Sequence, residues 1–236
     1  MSKMHWDGIG EKAFETGVSQ GVLFLYNATT HKWEGQPWNG LTNVTESPDG
    51  GDAEDYYADN ILYASIRGIE NLNGSIECFT YPVDFEKCIG HDEIAQGIRV
   101  GQQNKVPFAI AYRTEIGNDT NPNAGYKIHL VYNCTANAAE MSHDTAEDSP
   151  NLEPMSFDFD SNPVPVAGKK GTSSIVIDST KVASGVMQKI EDAIYGTDAV
   201  AAVEADAQNG IEAVEGHEAT VSYLPYPNDI LTLIAS

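Results

Sequence analysis

The sequence predicts a mainly β fold with one flanking helix, an α+β arrangement built as a β-sandwich or a barrel-like domain. Residues 155–160 alternate apolar and polar side chains, the pattern of a strand with one buried face. Two more alternating runs, 106–114 and 126–132, flank a turn-rich segment and predict a β-hairpin. Apolar residues recur at helical spacing over 181–195, and 236 residues suffice for one large domain.

The N-terminal part of the chain predicts an arm followed by two strands. Residues 1–16 are polar and lack a clean period, so we expect an N-terminal arm lying on another surface. Trp6 and Phe14 are its apolar anchors. Residues 21–26 form a short apolar strand, for which 37–45 is the expected partner.

An acidic segment that contains glycine and proline, 46–60, predicts a long loop or an extended hairpin tip. Clustered carboxylates suit Ca²⁺, but the spacing of an EF-hand is absent, so a contact with a partner is the favoured interpretation. The candidate contact residues are Asp49, Asp52, Glu54, Asp55, Tyr56 and Tyr57.

The next segments predict further strands. Residues 61–81 are expected to form one long strand or two in series, interrupted at Gly68 and Gly74. A single helical turn is expected at 82–88, and a second β-branched strand at 174–177 leads towards the helix.

The helix at 181–195 has recognisable end signals. Ser179 or Thr180 is the expected N-cap, and Gly196 stands where a glycine commonly ends a helix. Its single apolar stripe is interpreted as a face that packs on the core. Gly185 weakens the helix by roughly 1 kcal/mol relative to alanine.

The C-terminal region is less regular. Residues 197–218 form an acidic, Ala/Glu-rich insertion, and a ragged helix or a surface insertion are both open. A weak strand is expected at 219–224. Residues 225–236 predict an apolar C-terminal arm that must dock on its own domain or on a neighbour. The arm's anchors are Tyr226, Ile230, Leu231, Leu233 and Ile234.

Charge and cysteine content restrict the function. A formal net charge of −22 disfavours binding to phosphate backbones and to anionic membranes. No run reaches the roughly 18 apolar residues of a membrane span, and no apolar signal segment opens the chain, so we expect synthesis in the cytoplasm and no membrane partner. Cys78, Cys88 and Cys134 lack CxxC spacing and are expected to be reduced and buried.

The sequence offers no motif for catalysis, a cofactor or a metal. Its histidines are scattered and GxSxG is absent. The run from Asp158 begins like an EF-hand loop, but Pro163 replaces the required glycine and Lys169 the bidentate glutamate. We therefore expect no enzyme, no cofactor and no metal. A hydrolase that uses a carboxylate pair stays open, because the chain contains 35 acidic residues.

A carbohydrate-binding β-sandwich is the alternative function, because aromatic side chains can form a platform for sugars. The candidate residues for this platform are Trp33, Trp38, Tyr56 and Tyr57.

Several short segments, in their order along the chain, resemble the major tail tube protein of long-tailed, non-contractile bacteriophages. The resemblance covers nearly the whole chain except 197–218, and the order of the segments carries it rather than any single motif. The segments include KMHWDGIGEK at 3–12, WNGLTNVTESP at 38–48, YADNILYA at 57–64, PVPV at 163–166, IDSTK at 177–181 and LPYPNDI at 224–230.

The resemblance implies a fold shared with contractile-tail and type VI secretion tubes, assembled into hexameric rings that stack into a hollow tube. It implies an inter-ring contact at 46–60 and arms at 1–16 and 225–236. The protein would reside in the virion and contact itself and the tape measure, tail terminator and distal tail proteins. DNA would pass the lumen without specific binding during ejection. The polar face of the 155–160 strand would look onto the lumen or onto a neighbour; its residues are Ser156, Asp158 and Asp160.

Overall fold

The computed structural model describes residues 4–51, 53–68, 70–138, 145, 152–202 and 216–235. Within these ranges the chain is mainly β, with a large antiparallel sheet and a few helices. The strands of the large sheet are β1 (Ala13–Asn27), β2 (Lys32–Trp38), β3 (Leu41–Gly50), β6 (Glu70–Cys78), β9 (Phe108–Asn118), β10 (Gly125–Ala136), β11 (Met155–Ser161) and β12 (Ser174–Asp178). The smaller hairpins are β4 (Ala53–Ala58) with β5 (Ile61–Arg67), and β7 (Asp92–Ala95) with β8 (Ile98–Val100). The helices are α1 (Phe85–Cys88), α2 (Ser184–Tyr195) and α3 (Pro227–Ala235).

The large sheet is continuous in the order β2-β1-β9-β10-β11-β6-β3, and β12 also pairs with β10. One edge of β10 pairs with β9, and its other edge is shared by β11 and β12. Its first part, from Lys127 to Val131, pairs with β12, and its last part, from Cys134 to Ala136, pairs with β11. The sheet thus turns a corner at β10 into two layers.

Two apolar clusters lie on opposite sides of the β1-β9-β10 layer. Because side chains alternate along a strand, Leu23 faces one cluster while Val22 and Phe24 face the other. The inner cluster joins this layer to β3, β6 and β11, and contains Phe157 and Phe159. The outer cluster lies under α2 and α3. The β1-β9-β10 layer is therefore covered on both sides, whereas the β3-β6-β11 layer is covered on one.

The β3-β6-β11 layer has two distinct ends. At one, which we call the hairpin end, β3 and β6 run towards the β4–β5 hairpin. The other, the α1 end, holds Leu41, Cys78 and Met155 in register. There α1 inserts Phe85, which is fully buried with its ring 4.5 Å from that of Trp38 and 5.2 Å from that of Phe157.

Several sequence predictions are confirmed by this architecture. The 155–160 pattern is a strand, and the runs at 106–114 and 126–132 pair as β9 and β10. The strand at 174–177 is β12, and α1 is the short turn expected at 82–88. Of the two alternatives for 61–81, the structure shows two strands in series, β5 and β6, separated at Gly68. The predicted interruption at Gly74 is wrong, because β6 continues through that residue.

The predicted partner of 21–26 is wrong in part. This run pairs with β2 up to Trp38, but 41–45 belongs to β3 and pairs with β6. Gly40 separates the two strands: its φ of 81° lies in the left-handed region, which turns the chain away from β1.

The helix boundary and the last strand also differ from expectation. The α2 helix begins three residues later than predicted, after an Ala183 cap that makes no side-chain hydrogen bond. Asp178 accounts for this, because its carboxylate accepts hydrogen bonds from both the backbone N–H and the hydroxyl of Thr180, which holds 178–180 in a turn. Gly196 ends the helix as predicted. Residues 219–224 make isolated bridges in place of a strand.

Candidate assembly surfaces

The cysteines are placed as predicted. Cys78, Cys88 and Cys134 are free and buried. Burial raises the pKa of Cys78 to about 11 and that of Cys88 to about 12, so both thiols are protonated at neutral pH and serve as small apolar core residues. In the part of the chain described here, no group of three or more acidic, His or Cys side chains is arranged to hold a metal ion.

The segment predicted as a long loop or an extended hairpin tip leads into an extended hairpin and forms its first strand, so the second alternative is confirmed. The β3–β6 ladder ends near Gly50, and the β4–β5 ladder begins at Ala53. Asp59 and Asn60 have φ values of 52° and 62° and close the tip in a tight turn. With six residues in β4 at about 3.3 Å each, the hairpin is roughly 20 Å long.

The hairpin exposes an unusual amount of apolar surface. Tyr63 is 76% exposed and Tyr57 70% exposed, on a hairpin that has no second layer to cover it. Exposed apolar patches of this kind are typical of interaction surfaces. The exposed large side chains are Tyr56, Tyr57, Ile61, Leu62, Tyr63 and Ile66.

The predicted contact residues map onto this hairpin and its root. Glu54, Asp55, Tyr56 and Tyr57 lie on β4, and the hydroxyl of Tyr56 donates to Glu54 at 2.8 Å. Asp49 is exposed near the end of β3, where it accepts a hydrogen bond from the Asn73 amide at 3.3 Å. Asp52 lies outside the described residues.

The N-terminal arm is partly a strand. Residues 4–12 are mostly exposed, with the Trp6 side chain 83% exposed, while 13–16 already pair with β9 as the start of β1. The Asp119 side chain accepts a hydrogen bond from the backbone N–H of Gly10 at 2.8 Å and holds the arm near the β9–β10 turn. Phe14 is half exposed beside Gly117.

The C-terminal arm docks on its own domain as α3. Ile230 is buried in the outer cluster, and Leu233 packs against it. The ring of Tyr226 stacks on Tyr132 with centroids 5.7 Å apart. Leu231 and Ile234 are half exposed.

The outer face of the β3-β6-β11 layer is polar and acidic. The strand register sets three residues side by side in each of three rows, and residues opposite one another share a face. The nine side chains include three carboxylates and no lysine or arginine. The first row is Ser156, Glu77 and Asn43, the second is Asp158, Ser75 and Thr45, and the third is Asp160, Asn73 and Ser47.

A charged network lies at the hairpin end, between the two layers. Glu15 on β1 accepts a 2.6 Å hydrogen bond from the hydroxyl of Thr114 and forms an ion pair with Lys127. His129 lies 3.3 Å from Glu15 and 3.8 Å from Glu46 on β3, measured from ring nitrogen to carboxylate oxygen. The Lys127 ammonium and the Thr114 hydroxyl hold the pKa of Glu15 below its ordinary value.

Sequence reasoning did not find this network, nor the apolar residues of β5. The network joins residues distant along the chain, which no local pattern reports. Ile61, Leu62 and Tyr63 were predicted to begin a strand, and they do. Their exposure was not predicted, because an apolar strand has the same sequence whether its own domain or a partner covers it.

The four aromatic residues proposed as a sugar platform do not come together. Trp38 is 2% exposed in the inner cluster, while Tyr56 and Tyr57 lie on the projecting hairpin. Trp33 instead lines a separate cleft of about 480 Å³ with Tyr223 and other residues near α3.

No helix in the described ranges is long and apolar enough to cross a membrane. Comparison with models of known protein families gives no match, and comparison with curated proteins gives no similar sequence.

Proposed function

We propose that this chain is a structural virion protein that assembles into stacked hexameric rings and forms the tail tube of a long-tailed phage. The observation that carries the proposal is the projecting β4–β5 hairpin, whose exposed tyrosines and isoleucines require a partner surface. The proposal assigns the chain no catalytic role. Other tail proteins, such as the tape measure, tail terminator and distal tail proteins, would contact the tube inside and at its ends.

The acidic face of the β3-β6-β11 layer supports the same proposal. A wall that carries Glu77, Asp158 and Asp160 without a cation does not attract DNA, because adhesion to DNA arises from basic side chains that release counterions. Facing the lumen, this layer would let DNA slide past during ejection. The free edge of β3 would pair with a neighbour, since a ring leaves no strand edge open.

The test is assembly of the purified protein at rising concentration. We expect sedimentation velocity to show concentration-dependent oligomers, and negative-stain images to show rings or tubes of uniform width. A protein that stays monomeric throughout this range, and is missing from purified virions, would refute the proposal.

A carbohydrate-binding role is the alternative proposal, and the cleft at Trp33 is the observation in its favour. Tyr223 and Tyr226 line the same cleft, which has a volume within the range of small-ligand sites. Titration with a panel of glycans, followed by tryptophan fluorescence, tests this role. Binding that is lost in Trp33→Ala would support it, whereas no response to any glycan would remove it.

A further inference from the structure

The hairpin end of the β3-β6-β11 layer carries charges of both signs: Asp49 is exposed there, and two cations line a concave surface. At the hairpin end, a cleft of about 1080 Å³ lies between the root of the hairpin and the loop after β11. Among the residues that the structure describes, its charged lining residues are Arg67, Lys170 and Glu70, and the others are glycines, prolines, an alanine and a valine. Within the described ranges, neither Arg67 nor Lys170 forms a salt bridge.

Basic side chains are few in this chain. It contains 13 basic residues against 35 acidic ones, and several of the basic side chains are paired, as Lys87 is with Asp84 and Arg113 is with Glu115. Two unpaired cations in one concave surface therefore form a site for carboxylates. The small residues around them leave room for an inserted strand or turn.

The α1 end presents the complementary surface on the β7–β8 hairpin. Asp92 and Glu93 are exposed there and form no salt bridge in the described part of the chain. Ile94 and Ile98 on the same hairpin are 67% and 56% exposed. An ion pair between Arg99 and Glu86 anchors the hairpin to α1 and fixes its position.

A single copy cannot bring these surfaces together. The nine residues of β6 that separate the two ends span about 30 Å, and the ends face opposite directions. A second copy can do so, and the contact is head-to-tail, since different surfaces meet. Contacts of this type extend into a filament when the rotation between copies does not close a ring.

We propose that the β7–β8 hairpin of one copy docks at the root of the β4–β5 hairpin of the next. Asp92 and Glu93 meet Arg67 and Lys170, while the isoleucines of β7–β8 cover the exposed apolar residues of β4–β5. The inference rests on the proposed function, because it names the axial contact between stacked copies.

Charge reversal tests this contact. Arg67→Glu with Lys170→Glu is expected to raise the protein concentration needed for assembly about tenfold or more, and Asp92→Lys with Glu93→Lys to do the same. A chain that carries all four changes is expected to assemble again. The matched control is Lys181→Glu with Lys189→Glu on and beside α2, which changes net charge equally and leaves assembly intact. Thermal unfolding of every variant checks that the fold is kept.

Disulfide trapping gives a second readout. Glu93→Cys with Lys170→Cys in one chain is expected to give a ladder of covalent oligomers on oxidation, whereas each single variant gives no ladder. The native cysteines are buried and do not interfere. If wild type never assembles, both the proposed function and this inference fail. If wild type assembles but the charge-reversed chains assemble equally well and no ladder forms, this inference alone is overturned.

Discussion

The hydroxyl of Tyr112 on β9 donates a 2.6 Å hydrogen bond to the carboxylate of Glu46 on β3. This bond joins the two layers of the sandwich at the hairpin end, and the Tyr112 ring also stacks on His129 at 4.6 Å. The strand that leads into the projecting hairpin is therefore fixed to the centre of the opposite layer.

Replacing this donor is expected to destabilise the fold. Tyr112→Phe keeps the ring but leaves the Glu46 carboxylate with one fewer donor in a mostly buried site, which costs about 1–3 kcal/mol. Urea denaturation measures the free energy of unfolding. Tyr26→Phe is the control, since its bond to His31 is exposed and 3.3 Å long, and we expect a change within about 0.5 kcal/mol. Equal stability of Tyr112→Phe and wild type would contradict the role given to this bond.

The Glu15 interactions make stability depend on pH in a defined direction. Lys127 and Thr114 lower the pKa of Glu15 in the folded chain from its ordinary value of 4.5. Their stabilisation is therefore complete above that value and is lost as the pH falls through the folded pKa. Glu15→Gln is expected to lower the melting temperature at neutral pH, and the difference from wild type is expected to narrow as the pH falls below 4.5 and through the lower folded pKa.

Thermal unfolding between neutral and acidic pH measures this difference. Exposed Glu218→Gln serves as the control and is expected to follow wild type throughout. A gap between Glu15→Gln and wild type that widens on acidification would show the sign to be wrong.

Two glycine-to-alanine changes are expected to have opposite effects. In Gly74→Ala, the new methyl group would overlap the Phe159 ring and the carbonyl oxygen of Thr45, so we expect a loss of about 1–3 kcal/mol. In Gly185→Ala, the methyl group meets nothing within 4 Å, and the helix gains up to about 1 kcal/mol. Chemical denaturation of both variants tests the pair, and a stable Gly74→Ala chain would contradict the packing described for β6.

The hairpin and the C-terminal helix are expected to respond differently to removal. Replacing 52–67 by a two-residue Asn-Gly turn removes exposed surface, so the melting temperature is expected to stay near that of wild type while assembly is lost. Deleting 226–236 removes buried Ile230 and the partner of Tyr132, so the fold itself is expected to weaken by several kcal/mol.

Calorimetry together with sedimentation velocity separates these outcomes. Normal tubes from the chain without the hairpin would refute its role in assembly. A C-terminal truncation as stable as wild type would show that α3 acts as an arm for neighbours.

Local patterns predicted the parts of the fold that depend on local physics. The alternation at Phe157 and Phe159 and the end of α2 at Gly196 agree with the structure. The sequence does not predict which distant strands pair. The β1 strand lies beside β9, about a hundred residues later, and no feature of either sequence specifies the other as its partner. Gly40 interrupts an expected strand with a left-handed conformation, and its carbonyl accepts a hydrogen bond from the N–H of distant Phe79.

For the candidate surfaces as well, local patterns identified some residues and missed others. The acidic and aromatic residues Glu54 to Tyr57 were found because they stand in a segment with strong turn signals. The matching face of β5, and the cations at Arg67 and Lys170, were missed because their significance comes from what lies beside them in space. Exposure and unpaired charge are properties of the folded chain.

The division of β10 between β11 and β12 also determines the order in which the chain can fold. Its partners begin at Met155 and Ser174, so a nascent chain that has just left the ribosome with β9 and β10 paired still has the other edge of β10 open. That edge closes only after Asp178 has emerged. We therefore expect folding to be slow, on the order of milliseconds to seconds, and to be completed late in synthesis. Until then, β10 is the segment that other nascent chains can pair with.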